Sequence, residues 1–220
     1  MLFHKHITLT AAKGMRMCGW ALRTFKTRGT PAKKTILQSL IVSLVEYACV
    51  LWSPTDSTHI NLLESVQRKS TSPFACFQTY NEALRMPICT TSYPERLKKL
   101  NIYSLERRRE RYMICYTYKI VIGLVVNPGL AITYDLRRKI RVGPKPVSMR
   151  SPNWIRKARH SSFFFKASKL YNCIPLHLWE SEDINIPTKN HVNSFKKKLE
   201  DYLSTTPDVP GTQMNSILDN

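Results

Sequence analysis

Apolar residues recur every three or four positions along this chain, and prolines cut the recurrence into helix-sized lengths. Ile7, Ala11, Met15, Cys18, Leu22 and Phe25 form one series, closed by Gly29 and Pro31. Ile36, Leu37, Leu40, Ile41, Leu44, Val45 and Ala48 form a broader stripe, which predicts a core helix from Pro31 to about Val50. Pro54 should stop it. Asp56, Ser57 and Thr58 then offer N-cap oxygens to a third helix that buries Ile60, Leu63 and Val66. Arg68 and Lys69 fall near its C-terminal end, where cations suit the helix dipole.

Residues 71–93 are cut by Pro73 and Pro87, although "YNEALRM" has the spacing of two helical turns. "SYPERLKKL" reads as a short helix with Pro94 in its first turn. Ser104 is placed to cap a longer helix, "LERRRERYMICYTYKIVIGL", and Asn127-Pro128-Gly129 ends it. Beyond this stop the first part of the chain, rich in Gly and Pro, reads as loop or loose hairpin. Helical spacing returns through Phe164, Ala167 and Tyr171, and again through Val192, Phe195, Leu199 and Tyr202. The expected fold is therefore mainly α. A helical bundle over residues 1–130 precedes a basic, partly irregular region with two further helices over 131–205. Residues 206–220 are expected to be a disordered tail.

Charge narrows the partners. The 220 residues carry 34 Lys and Arg against 15 Asp and Glu, a net charge of +19, while 43% of residues are hydrophobic. That balance describes a folded chain that seeks a polyanion. From Leu136 to Trp179 there is no acid, but the window holds Arg137, Arg138, Lys139, Arg141, Lys145, Arg150, Arg156, Lys157, Arg159, Lys166 and Lys169. A solvated loop normally mixes signs, and a one-sign segment repels itself unless an anion neutralises it. Arg107, Arg108, Arg109 and Arg111 crowd another segment beside Tyr112, Tyr116 and Tyr118. They suit either a solvated face, with Glu106 and Glu110 as local partners, or a backbone-tracking surface with stacking platforms. A membrane-surface reading would use Phe163, Phe164 and Phe165 beside Lys166 and Lys169, but Leu170, Tyr171 and Ile174 continue their pattern as a core would.

Catalytic patterns are missing from the sequence. The carboxylates are scattered, with Glu180, Glu182 and Asp183 as the densest group, and no Gly-rich phosphate loop occurs. The six cysteines form no CxxC pair, and most lie in apolar runs, as free thiols of a reducing compartment do. Zinc ligation by Cys173 and His177 is opposed by Pro175 between them. No metal or other cofactor is expected. The N-terminus lacks the apolar core of a signal peptide, and the apolar run from Ile36 to Trp52 is too short and polar to span a bilayer.

Four stretches are familiar together. "ILQSLIVSLVEYACVLWSP…INLLESVQRKST" resembles the region that follows the polymerase palm in non-LTR (LINE-type, jockey- and CR1-like) retrotransposon reverse transcriptases. The matching residues are Glu46, Tyr47, Trp52, Pro54, Leu63, Glu64, Val66, Gln67 and Arg68. "YPERLKKLNIYSLERRRERYMICYTYKIVIGL", "SSFFFKASKLYNCIP" and "VNSFKKKLEDYL" are similar to later steps of the same region, so the resemblance covers roughly Phe3 to Leu203. The chain departs from the family at Val42-Ser43-Leu44-Val45, where Arg-Pro usually precedes the Glu-Tyr step, and at Ser72-Pro73-Phe74.

The resemblance implies a thumb and post-thumb segment that grips RNA or an RNA–DNA hybrid without sequence preference. No Tyr-x-Asp-Asp motif is present, so no polymerase activity is expected of these residues alone; the missing palm of the same polyprotein is an implied partner. Phosphate contacts are expected from Arg68, Lys69, Arg107, Arg108, Arg111, Arg137, Arg138, Lys139, Arg141, Arg156, Lys157 and Arg159. Glu46, Tyr47, Trp52 and Pro54 are expected to fix helix packing. No membrane partner is expected, and the setting implied is an intracellular ribonucleoprotein, nuclear or cytoplasmic. Two rivals stand beside this reading: a reused helical adaptor that binds protein, and an enzyme whose carboxylates or histidines meet only in the fold.

Overall fold

The structure is a computed structural model, and it describes residues 3–25, 30–75, 78–81, 86–89, 92–125, 132–135, 141–144, 155, 162–175, 178 and 188–208. The chain is mainly helical, as its periodicity predicts. Its contacts separate it into two compact units, one built on Leu2–Arg108 with Asp208–Gly211, the other on Arg109–Pro207 with the remaining ends. The seam lies at Arg108 and Arg109, inside a helix.

The N-terminal unit begins with α1 (His4–Thr24), which buries Ile7, Ala11, Cys18 and Ala21. The predicted second helix is not one rod. It runs as α2 (Thr30–Ile36), a π-helical stretch Leu37–Val42 and α3 (Ser43–Glu46), then breaks and resumes as α4 (Cys49–Trp52). The break sits at Ala48, which takes the left-handed conformation at φ 51°. That conformation is costly for a residue with a Cβ. The indole N–H of Trp52 donates to the Tyr47 carbonyl at 2.8 Å and so ties the two sides of the turn together.

Helix α5 (Ser57–Ala75) starts where the capping residues predicted and runs on through Pro73. The proline lies in the last turn, where a missing N–H and a displaced carbonyl disturb little of the helix. Leu63 and Val66 of α5 are fully buried, and α1 and the π-helical stretch pack against this helix. Gly14 marks the closest approach: a Cβ there would lie 2.9 Å from Val45 Cγ2 and 3.0 Å from Val66 Cγ1.

β1 (Gln78–Asn81) and β2 (Met86–Cys89) pair antiparallel, with Thr79 opposite Ile88; of the stretch expected to hold two helical turns, residues 82–85 lie outside the described residues. Two turns are too short to be stable as an isolated helix, so periodicity over "YNEALRM" decides little. Next come α6 (Tyr93–Leu100), with Pro94 in its first turn, and α7 (Leu105–Val121), both close to their predicted limits. The Ser92 N–H donates to the Glu95 carboxylate at 3.0 Å and holds that carboxyl below its ordinary range.

The C-terminal unit contains the rest of α7, a second antiparallel hairpin of β3 (Ile132–Asp135) and β4 (Arg141–Pro144), α8 (Phe163–Asn172) and α9 (Lys189–Thr205). β4 runs against α8. Tyr118 of α7 stacks on Phe195 of α9, ring centroids 4.0 Å apart and nearly parallel. Ile114, Leu170 and Leu199 are fully buried in this unit.

Candidate nucleic-acid interface

Three carboxylates gather on the first turn of α7. Glu46, at the end of α3, receives both Nε and Nη2 of Arg108, the second at 2.9 Å. Glu64, wholly buried on α5, accepts the Tyr93 hydroxyl at 2.6 Å and the Glu106 backbone N–H at 2.7 Å. Asp208 accepts the Ser104 N–H and the Ser104 hydroxyl, each at 2.7 Å, and lies 4.0 Å from Arg107 Nε. The Ser104 oxygen in turn accepts the Arg107 N–H at 3.1 Å, the cap that the sequence predicts. A helix start leaves backbone N–H groups without partners and carries the positive end of the dipole. Here the Glu64 carboxylate and the Ser104 oxygen accept two of those N–H groups, Asp208 accepts the Ser104 N–H, and Glu46 neutralises the Arg108 side chain beside them.

This clamp removes most of the arginine-rich stretch from the surface. Arg107 is 3% exposed and faces Asp208, so it has no area to offer a phosphate. Arg108 is held by Glu46 in a two-point bond. In the other unit Arg111 pairs with Glu200 at 2.8 Å, and Arg109 is buried. Arg107, Arg108 and Arg111, expected to contact phosphate, thus have carboxylate partners in the fold that are distant in sequence and therefore invisible to local pattern.

Arg68 is half-buried, with its guanidinium 5.2 Å from the centre of the Tyr93 ring and Nη2 3.4 Å from Asn61 Oδ1. Arg96 approaches the same ring at 5.6 Å and donates to the Arg68 carbonyl at 3.4 Å. Burial and the neighbouring Glu64 push the Tyr93 hydroxyl far above its ordinary pKa, so it remains a donor. Lys69 is exposed. Arg141 belongs to β4 by its backbone, and Arg137, Arg138, Lys139, Arg156, Lys157 and Arg159 lie outside the described residues.

Among the residues expected to fix packing, Glu46 and Trp52 do so, and Trp52 also meets the His6 ring edge-on at 5.1 Å. The Tyr47 side chain does not: it is 79% exposed, and only its carbonyl serves the turn. Pro54 is half-buried beyond that turn. Asp208, placed by sequence in a disordered tail, anchors the start of α7, a correction made by its bonds to Ser104; residues 209–220 lie outside the described residues.

Histidines and cysteines build no reactive centre in the described residues. His4 Nδ1 lies 3.0 Å from His59 Nε2, and His59 Nδ1 lies 2.8 Å from Asp56, whose carboxyl it holds low. This short relay joins the starts of α1 and α5. Burial pushes the thiols of Cys18, Cys115 and Cys173 up, away from the reactive thiolate. No group of three His, Cys, Asp or Glu among the described residues is arranged to hold a metal ion.

A further set of exposed cations, outside the residues expected to contact phosphate, is on α1. Lys5, Lys13, Arg16 and Arg23 are all exposed, and none forms an ion pair with a described residue. α1 contains no acidic residue.

A search of known families, curated proteins and solved structures with this chain finds no match. Among the described residues no helix is long and apolar enough to cross a membrane.

Proposed function

We propose that this chain is a non-catalytic, nucleic-acid-gripping helical segment of the kind that follows the palm in non-LTR retrotransposon reverse transcriptases. Its ligand is RNA or an RNA–DNA hybrid, held by phosphate contacts and without sequence preference. The observation that carries the reading is the acid-free stretch from Leu136 to Trp179, which holds eleven Lys and Arg and meets acids only at its borders, Asp135 and Glu180. The clamp around α7 is compatible with it, because a rigid helical frame is what presents charges at fixed spacing.

The test is binding of the full chain to labelled RNA and to an RNA–DNA hybrid across a salt series. Affinity should fall steeply with salt and vary little with sequence. Affinity that does not respond to salt would overturn the reading. One observation favours the adaptor alternative: Tyr47 and Leu51 flank the strained Ala48 turn at 79% and 70% exposure. A protein bound there would show weak salt dependence and would be lost on Tyr47→Ala.

A further inference from the structure

We infer that the outer face of α1 is a binding surface for a single-stranded stretch of nucleic acid, with Trp20 as a stacking platform for one base. The inference rests on the nucleic-acid reading above and gives it a location distinct from the arginine-rich helix.

Lys5, Leu9, Lys13, Arg16, Trp20 and Arg23 fall within an arc of about 80° at 3.6 residues per turn, and span about 27 Å at 1.5 Å per residue. All six side chains are exposed. The four cations have no carboxylate partner among the described residues, so their charge is available to an external anion. Trp20 is 46% exposed and stands between Arg16 and Arg23. An exposed indole costs solvation, and it is braced edge-on by Phe25, with centroids 5.6 Å apart. Cations that track a backbone with an aromatic face between them are the components of sequence-tolerant single-strand binding.

An anionic membrane would also attract the four cations. It would need a broad apolar face turned outward. That face of α1 is already used: Ile7, Ala11, Cys18 and Ala21 are buried, and Gly14 is closed against Val45 and Val66. Leu9 and Trp20, with Phe25 exposed beside the indole, are still a narrow hold on lipid, whereas one indole is enough for a base.

The experiment uses the full chain and a labelled 20-nucleotide oligouridine, with vesicles of anionic phospholipid as the second probe. Neutralising the face with Lys5→Gln, Lys13→Gln, Arg16→Gln and Arg23→Gln should lower affinity more than tenfold. It should also reduce the slope of log K against log salt by about 3, from ~0.7 per phosphate contact. Trp20→Ala should cost about 5- to 100-fold with the slope unchanged. Helicity by circular dichroism accompanies each variant, and Trp20→Ala, a single exposed change, tests the face even where the quadruple variant folds poorly. If both variants bind like the unaltered chain while Arg137→Gln, Arg138→Gln and Lys139→Gln abolish binding, the α1 inference fails and the nucleic-acid reading stands. If the unaltered chain binds vesicles and not the oligonucleotide, or binds neither, the α1 inference fails, and the nucleic-acid reading fails with it when the RNA–DNA hybrid is not bound either.

Discussion

Helix α1 and the first turn of α7 belong to the same unit and are both rich in cations, yet they use them in opposite ways. Along α7 each arginine of the first turn finds a carboxylate or the interior: Arg107 lies beside Asp208 and Arg108 on Glu46. Along α1 the cations point to solvent with no acid on their own helix and none reaching them among the described residues. Charge density in a sequence therefore says little about charge available at the surface. What matters is whether the fold brings anions to it. A cation already paired in the fold must break that bond to meet a phosphate, while an unpaired one releases only water and counterions.

The comparison is most exposed to test at Glu64. Glu64→Ala leaves the Tyr93 hydroxyl and the Glu106 N–H buried without a partner, and is expected to destabilise the chain by about 2–4 kcal/mol in urea unfolding. A loss near zero would show that the clamp on α7 is not structural.

Lys166 offers a contrast in the other unit, as a cation that the fold buries. Desolvation lowers its pKa from the usual 10.5 to about 8. Between those values the unfolded chain binds more protons than the folded one, so stability should rise with pH through this window. The penalty is full below the folded value and gone above the unfolded one. Lys166→Met should remove that rise, measured as the difference between the two unfolding curves at pH 7 and pH 10; an unchanged slope would mean that the buried amine does not carry it.

Asp208→Ala should cost about 1 kcal/mol, the size of a lost helix cap, and should act through the start of α7. Proteolysis or hydrogen exchange at residues 104–108 reads it locally. The smallest effect is expected on α1, where Lys13→Gln with Arg16→Gln should leave stability within about 0.5 kcal/mol while weakening RNA binding. A large stability loss there would erase the distinction between the two helices.

Much of the helical layout is readable locally. Ser104 ahead of Leu105, Pro94 in the first turn of α6 and the spacing of Val192, Phe195 and Leu199 each state their element within a few residues. The misses have physical causes. "YNEALRM" is too short for periodicity to separate helix from strand, and its described ends, Tyr80-Asn81 and Met86, lie in paired strands. The Ala48 break carries no Gly or Pro of its own and depends on the Trp52 bond to a carbonyl five residues back. The candidate site was legible only as a surplus of positive charge. Asp208 lies 104 residues from Ser104 and Glu46 lies 62 from Arg108, so no window on the sequence could pair them.

Apolar spacing and capping residues thus determine the helices, because the 3.6-residue period and the unsatisfied backbone groups at helix ends act over one or two turns. The +19 charge is likewise set by the sequence, because it survives any arrangement of the chain, and the polyanionic partner we propose rests on it. Only the tertiary structure decides which cations remain for that partner. Ion pairing and burial depend on distances across the fold, and those are set when α1, α3 and α5 close around Gly14 and the carboxylates reach α7.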